Sequence, residues 1–242
     1  LQPGQNWAQY GFFKCLTTTT RQQEYIENVM RQSSFDIVKP LITDNFYQKN
    51  LPPMPIIGVH TKDQNDTINL VKTFYLKFPQ YRWFSFRDLR GLSEKEFGNS
   101  LRDCFASVWI DDESGFGTFP LESMKCGVPV VGKIPKNEPD WLSENGMWTY
   151  DINKVTEVLG TYVLAWIEGV ELTDEVKQKM KDTLLPYNED ITKQNIISIT
   201  KSLSDTESIE FAVGHSNPSS FATKCRSIGN EVPASAQAPR GD

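Results

Sequence analysis

The chain has 242 residues, 38% of them hydrophobic, and a formal net charge of −6. That length and apolar content suffice for one substantial core, while an acidic balance without a basic stripe argues against a nucleic-acid-binding surface. No run approaches the ~18 apolar residues of a membrane span, and no signal peptide is readable at the start, so a soluble protein is expected.

The first residue is Leu1 rather than Met, inside a polar, aromatic segment, and the chain reads as a fragment of something longer. An apolar run at 12–16, the threonines at 17–20 and a helical pattern through Tyr25, Ile26, Val29 and Met30 predict strand, cap and helix in that order. Pro52, Pro53 and Pro55 mark 49–55 as a linker, because proline neither continues a helix nor joins a central ladder. Beyond it, strands are predicted at 56–60, 82–86, 107–110 and 128–134, and helices at 68–78, 93–104 and 120–126. Short apolar runs alternating with segments of helical period specify an α/β fold, a Rossmann-like doubly wound parallel sheet with flanking helices. Two more helices are predicted at 173–185 and 190–203. From Asp205 on, Ser, Pro, Gly and Ala without periodicity predict a disordered tail.

Cys15, Cys104, Cys126 and Cys225 lie far apart without paired spacing, which favours reduced thiols and a cytoplasmic location. His60 and His215 are the two histidines, too few for an ordinary zinc site, so no metal is expected.

In doubly wound sheets ligands sit beyond the carboxyl ends of the strands, where strand order reverses, so the loops after Ile57, Phe86, Ile110 and Val131 should share one face. One of these loops carries chemistry. Ser114, Gly115, Phe116, Gly117 and Thr118 lie between a strand and a helix expected to start at Pro120. Two glycines allow close approach of a ligand to the backbone, and unpaired amides at a helix start form a cradle for an anion such as a diphosphate. Glu122, expected in the first turn, can accept hydrogen bonds from the paired hydroxyls of a ribose. The same residues also fit a plain tight turn followed by a helix-start carboxylate.

The run from Phe116 to Gly132, F-G-T-F-P-L-E-S-M-K-C-G-V-P-V-V-G, resembles the signature of retaining glycosyltransferases of the GT-B fold (glycosyl transferases group 1 type). In that family Gly-Phe-Gly precedes Pro-Leu-Glu-Ala-Met and Gly-x-Pro-Val-Val, and the likeness extends to the turn at Asn145-Gly146. The resemblance implies the C-terminal, donor-binding domain at 51–203, with 1–50 a remnant of the N-terminal acceptor domain and linker, and 204–242 the tail. It implies a nucleotide-sugar donor, an acceptor hydroxyl on a glycan, lipid or protein, retention at the anomeric carbon, and no cofactor. The second glutamate of the family's paired-glutamate motif maps onto Glu122, to the donor ribose. The first maps onto Ser114, a departure that puts the donor-sugar contact in doubt, with Glu113 one residue out of register.

The family's basic residue near the diphosphate corresponds to Lys62, whose charge would meet the negative charge developing on the leaving phosphate. A solvated surface lysine is the plainer alternative. His60 reads as a strand-end core histidine or a ligand contact. Arg87 and Arg90 occupy the loop that flanks the nucleobase in similar enzymes, or form a surface cluster with Asp88. Trp109 and Trp141 read as packing residues. Asp111 and Asp112 are contiguous rather than an Asp-x-Asp pair, so the transfer is expected to be metal-independent, and no residue is assigned to catalysis itself.

Two other readings stay open: a catalytically inactive binding or structural module, and an unrelated doubly wound domain taking another phosphate ligand. The helix at 190–203 is expected to show an exposed apolar face, because the final helices of this fold often cross back to the first domain.

Overall fold

A computed structural model of the chain describes residues 14–30, 35–112 and 116–213. The chain divides into two compact units, residues 1–197 and 198–242.

The first unit opens with β1 (Cys15–Thr17), α1 (Thr20–Met30) and β2 (Phe35–Ile37), the two strands pairing in parallel as a small sheet of their own. The side chain of Asp140 caps α1 from a distant loop, accepting from both the amide and the hydroxyl of Thr20 at 2.9 Å. The main sheet follows the linker: β3 (Met54–Thr61), β4 (Ser85–Asp88), β5 (Cys104–Ile110), β6 (Val130–Lys133) and β7 (Met147–Thr149), all parallel, in the order β4-β3-β5-β6-β7. Strand order reverses between β3 and β5, so the crevice lies there, at the ends of the strands that carry His60 and Ile110.

Handedness explains where the helices lie. With right-handed crossovers, α2 (Gln64–Lys77) runs one way across the sheet, whereas α3 (Glu94–Asp103) and α4 (Thr118–Lys125) run the other way and cover the opposite face. Helix α5 (Ile152–Ile167) packs beside α2, and α6 (Asp174–Leu184) beside α4. The sheet is thus covered on both faces, the α/β class expected.

Strand alternation sorts the side chains. Ile57 and Val59 of β3 join Phe74, Phe105, Val131, Leu159 and Val163 in the cluster under α2 and α5. Ile56 faces the other way with Trp109, Phe119, Leu121 and Trp141, under α3 and α4. His60, in the same phase as Ile56, therefore emerges on the α3/α4 side.

Several boundaries differ from expectation. Helix α4 begins at Thr118 rather than Pro120, because Gly117, at φ 66°, turns the chain so that the next residue already has helical dihedrals. Proline at the third position costs no bond, since the first four helical amides lack intrahelical partners. Strand β4 starts at Ser85 rather than at 82, because residues 79–81 form a 3₁₀ turn that Arg82 closes. Helix α7 (Glu189–Val213) continues past the expected end near 203; the rest of the predicted tail, 214–242, lies outside the described residues. In the first unit Ile196 and Ile197 are exposed on this helix, as anticipated for its apolar face. No helix among the described residues is long and apolar enough to cross a membrane.

Candidate nucleotide site at the sheet's carboxyl edge

Two adjoining recesses open at the strand reversal, and Arg90 lines both. The first, about 580 Å³, is bounded by Lys62, Asp63, Arg90, Asp111 and Asp112. The second, about 460 Å³, is bounded by His60, the loop Leu89 to Leu92, Glu94, Phe97, Thr118 and Glu122. Residues from the ends of β3, β4 and β5 and from the start of α4 are thus brought together by a sheet edge, although His60 and Glu122 are 62 positions apart in sequence.

Two carboxylates of the first recess are engaged with the frame. Asp112 pairs with Lys133 at the end of β6, and Asp63 caps α2 by accepting from the Asn65 amide at 2.8 Å. Asp111 is buried at the end of β5, and Lys62 projects from the exposed loop after β3. Arg90 is held by both oxygens of Asp88, its Nε 2.9 and 3.1 Å from them. Among the described residues no group of acidic, histidine or cysteine side chains is arranged to hold a metal ion.

Glu122 is the chemically unusual group of the second recess. It is the fifth residue of α4, not in the first turn as expected, so the helix start aids its charge less than anticipated. Burial raises its pKa from 4.5 to about 7; the Thr118 hydroxyl one turn earlier lowers it, and the nearby charge of Glu94 raises it. Across from it, the His60 ring stacks on Phe119, centroids 5.0 Å apart and planes at 20°. Burial lowers the His60 pKa against the opposing charges of Asp111 and Asp88, so at neutral pH the imidazole is uncharged.

The glycine loop rests on tryptophans. A Cβ at Gly117 would lie 2.5 Å from Cζ2 of Trp109, so both the left-handed φ and the contact restrict this position to glycine. Trp141 donates its indole N–H to the Phe116 carbonyl at 2.7 Å. Asn145, fully buried, in turn secures Trp141: its amide donates to the Trp141 carbonyl at 2.8 Å and to Thr183 at 2.9 Å, while its oxygen accepts from Trp148 at 3.1 Å. Both Trp109 and Trp141 are packing residues, and Trp141 is a hydrogen-bond donor to the loop as well.

Of the residues singled out by sequence, His60, Thr118 and Glu122 meet in one recess and Lys62 stands in the other; Phe116 and Gly117 lie on the tryptophan platform behind them. Glu113, Ser114 and Gly115 lie outside the described residues. Arg87 lines neither recess. It faces the same side of the sheet as Gly58 and His60 but sits nearer the amino end of β4, its guanidinium 3.5 Å from Asp103 and 3.4 Å from the Ser100 carbonyl at the far end of α3. Arg90, three residues on, is the arginine that reaches the crevice.

Sequence reasoning missed the wall opposite Glu122. Glu94 is fixed there by Asn45, which donates at 3.0 Å, and by Thr43, both from the segment before the linker. Glycine at position 91, at φ 72°, was the local signal that this loop turns sharply above the recess. The pairing with residues 43 and 45 had none.

No family profile matches the sequence, and no curated protein does. Solved structures do match the fold. Sucrose-phosphate synthase from Thermosynechococcus elongatus superposes with a TM-score of 0.57 at 12% identity, over 80% of this chain and 59% of that one. TarM gives 0.60 at 13% identity, over 78% and 43%; Anabaena HepE, solved with UDP-glucose, gives 0.56 at 12%, over 77% and 63%. The chain therefore spans roughly half the length of these proteins. What these likenesses show is the fold: a five-stranded parallel sheet flanked by helices, matching the Rossmann-like half of GT-B glycosyltransferases.

Proposed function

We propose that this chain is the donor-binding half of a glycosyltransferase that moves a sugar from a nucleoside diphosphate to an acceptor hydroxyl. The observation that carries the proposal is the meeting of Glu122 and Thr118 with the Leu89–Leu92 loop in one recess beside the glycine loop. A nucleoside fits that division: its base against the leucines of that loop, its ribose hydroxyls donating to the Glu122 carboxylate. The diphosphate then extends toward the amides at the start of α4 and the cations Lys62 and Arg90, which offset the charge left when the sugar–phosphate bond breaks. Retention at the anomeric carbon and transfer without a metal belong to this reading, the cations and amides taking the place of a bound ion. The three buried, unbridged thiols Cys15, Cys104 and Cys126 are in keeping with a reducing, cytoplasmic setting.

The experiment is ligand-observed NMR with UDP, GDP and their glucose conjugates. The proposal expects saturable binding of at least one, at micromolar to sub-millimolar concentration; no binding of any overturns it. Ser114, standing where the resembling family has a glutamate, favours a second reading: a module that binds donor without transferring sugar. Release of labelled sugar from a bound donor decides between the two.

A further inference from the structure

A peptide group is planar and trans, so its C=O and N–H point in opposite directions. The unit joining Phe116 to Gly117 obeys this, as no cis peptide occurs among the described residues. Its carbonyl is tied inward by the indole N–H of Trp141 at 2.7 Å. The Gly117 N–H is consequently aimed away from the tryptophan, at the start of α4. Trp109 lies against Gly117 and leaves no room for a side chain there.

We infer that Trp141 is a positioning residue for phosphate: its N–H, by holding the Phe116 carbonyl, sets the direction of the Gly117 amide that meets a nucleotide's phosphate oxygens. The inference rests on the donor-binding reading and deepens it. A buried indole in such an aromatic cluster would pack equally well without its N–H touching the loop. Trp148 shows the contrast, since it sits in the same cluster with rings 5.9 Å from Trp141 but donates to Asn145 instead. Holding the amide in advance spares the ligand the cost of ordering the loop on binding.

The test compares UDP with uridine, and GDP with guanosine, on wild type, Trp141→Phe and Trp148→Phe, by calorimetry and competition NMR. Uridine and guanosine carry no phosphate and do not reach the Gly117 amide. For Trp141→Phe the expected result is a diphosphate dissociation constant raised about tenfold, the size of one lost hydrogen bond, with the nucleoside unchanged within about twofold. Trp148→Phe leaves the ratio of the two constants as in wild type. Equal loss of nucleoside and diphosphate, no loss of either, or the same selective loss in Trp148→Phe overturns the inference. Absence of diphosphate binding in wild type fails the donor-binding reading, and this inference with it, which separates the two failures. Should Trp141→Phe not fold, benzothienylalanine at position 141, the same shape with sulfur in place of N–H, is held to the same criteria.

Discussion

The two faces of the main sheet are built on different principles. Under α2 and α5 the core cluster is aliphatic and aromatic throughout, with ring contacts such as Phe74 on Phe86 at 5.2 Å and 75°, and it meets the crevice only through Ile110. Under α3 and α4 the core is interlaced with polar groups: Ser107 bonded to Ser123 at 2.7 Å, the Asn145 hub, and Trp141 beneath the glycine loop. A site that turns backbone N–H groups outward leaves carbonyls facing inward, and each buried carbonyl requires a donor. The first face supplies cohesion, and the second supplies cohesion and direction together.

Removing cohesion alone should leave the site's chemistry intact. Leu159→Ala, at a fully buried position of α5, should cost about 2–5 kcal/mol of stability in a urea titration, as large-to-small core changes do. Nucleotide affinity per folded molecule should stay as in wild type. A parallel fall in affinity would show that the two faces do not divide the work.

The next largest effect falls on the other face. Gly117→Ala must adopt a positive φ and displace the Trp109 ring, a strain of about 1–3 kcal/mol. Diphosphate binding should weaken at least tenfold, a factor equal to about 1.4 kcal/mol. An alanine variant with wild-type affinity would mean that this peptide does not meet the ligand.

Glu122 sharpens the contrast through pH. Its folded pKa, about 7, lies above its ordinary 4.5, so between these values the folded state binds more protons than the unfolded state, and stability falls as pH rises. The penalty is absent below pH 4.5 and complete above about 7. Glu122→Gln should therefore be more stable than wild type at pH 8, by about 1–3 kcal/mol, and equal to it at pH 4.5. Nucleotide affinity should run the opposite way in wild type, rising from pH 6 to 8 as the carboxylate becomes able to accept from ribose. Burial lowers the His60 pKa from its ordinary value.

The smallest effect is expected at Arg87. Its partly exposed ion pair with Asp103 predicts less than about 1 kcal/mol of stability change in Arg87→Ala and no change in nucleotide affinity. Loss of affinity there would place the ligand further along β4, toward its amino end, than the two recesses reach.

The sequence made the fold class legible because each βα alternation of the main sheet carries its own period and its own turn residues. Local rules failed where structure is short or depends on distant partners. The three-residue strands β2 and β7 are too brief for an alternating pattern. Helix α5 went unread, since Gly160 and a run of β-branched residues count against a helix; packing pays back that propensity, for Val155, Leu159 and Val163 are wholly buried and Phe78 fills the space beside Gly160. At the site, the glycines and Glu122 were visible as a motif. The choice between Arg87 and Arg90 was not, because it depends on where β4 ends and therefore on which arginine stands at the carboxyl edge of the sheet. The donor role of Trp141 was hidden as well, because nothing local to Trp141 shows that it meets Phe116.

The central claim is that the Glu122 carboxylate holds the ribose of a nucleotide whose phosphates lie on the glycine loop. Calorimetric titration of UDP and GDP into wild type and Glu122→Ala at pH 8 tests it most directly. The account predicts measurable binding in wild type and a loss of about 1.5–3 kcal/mol in the variant, the worth of hydrogen bonds to a charged group. Equal affinities in the two proteins would contradict it.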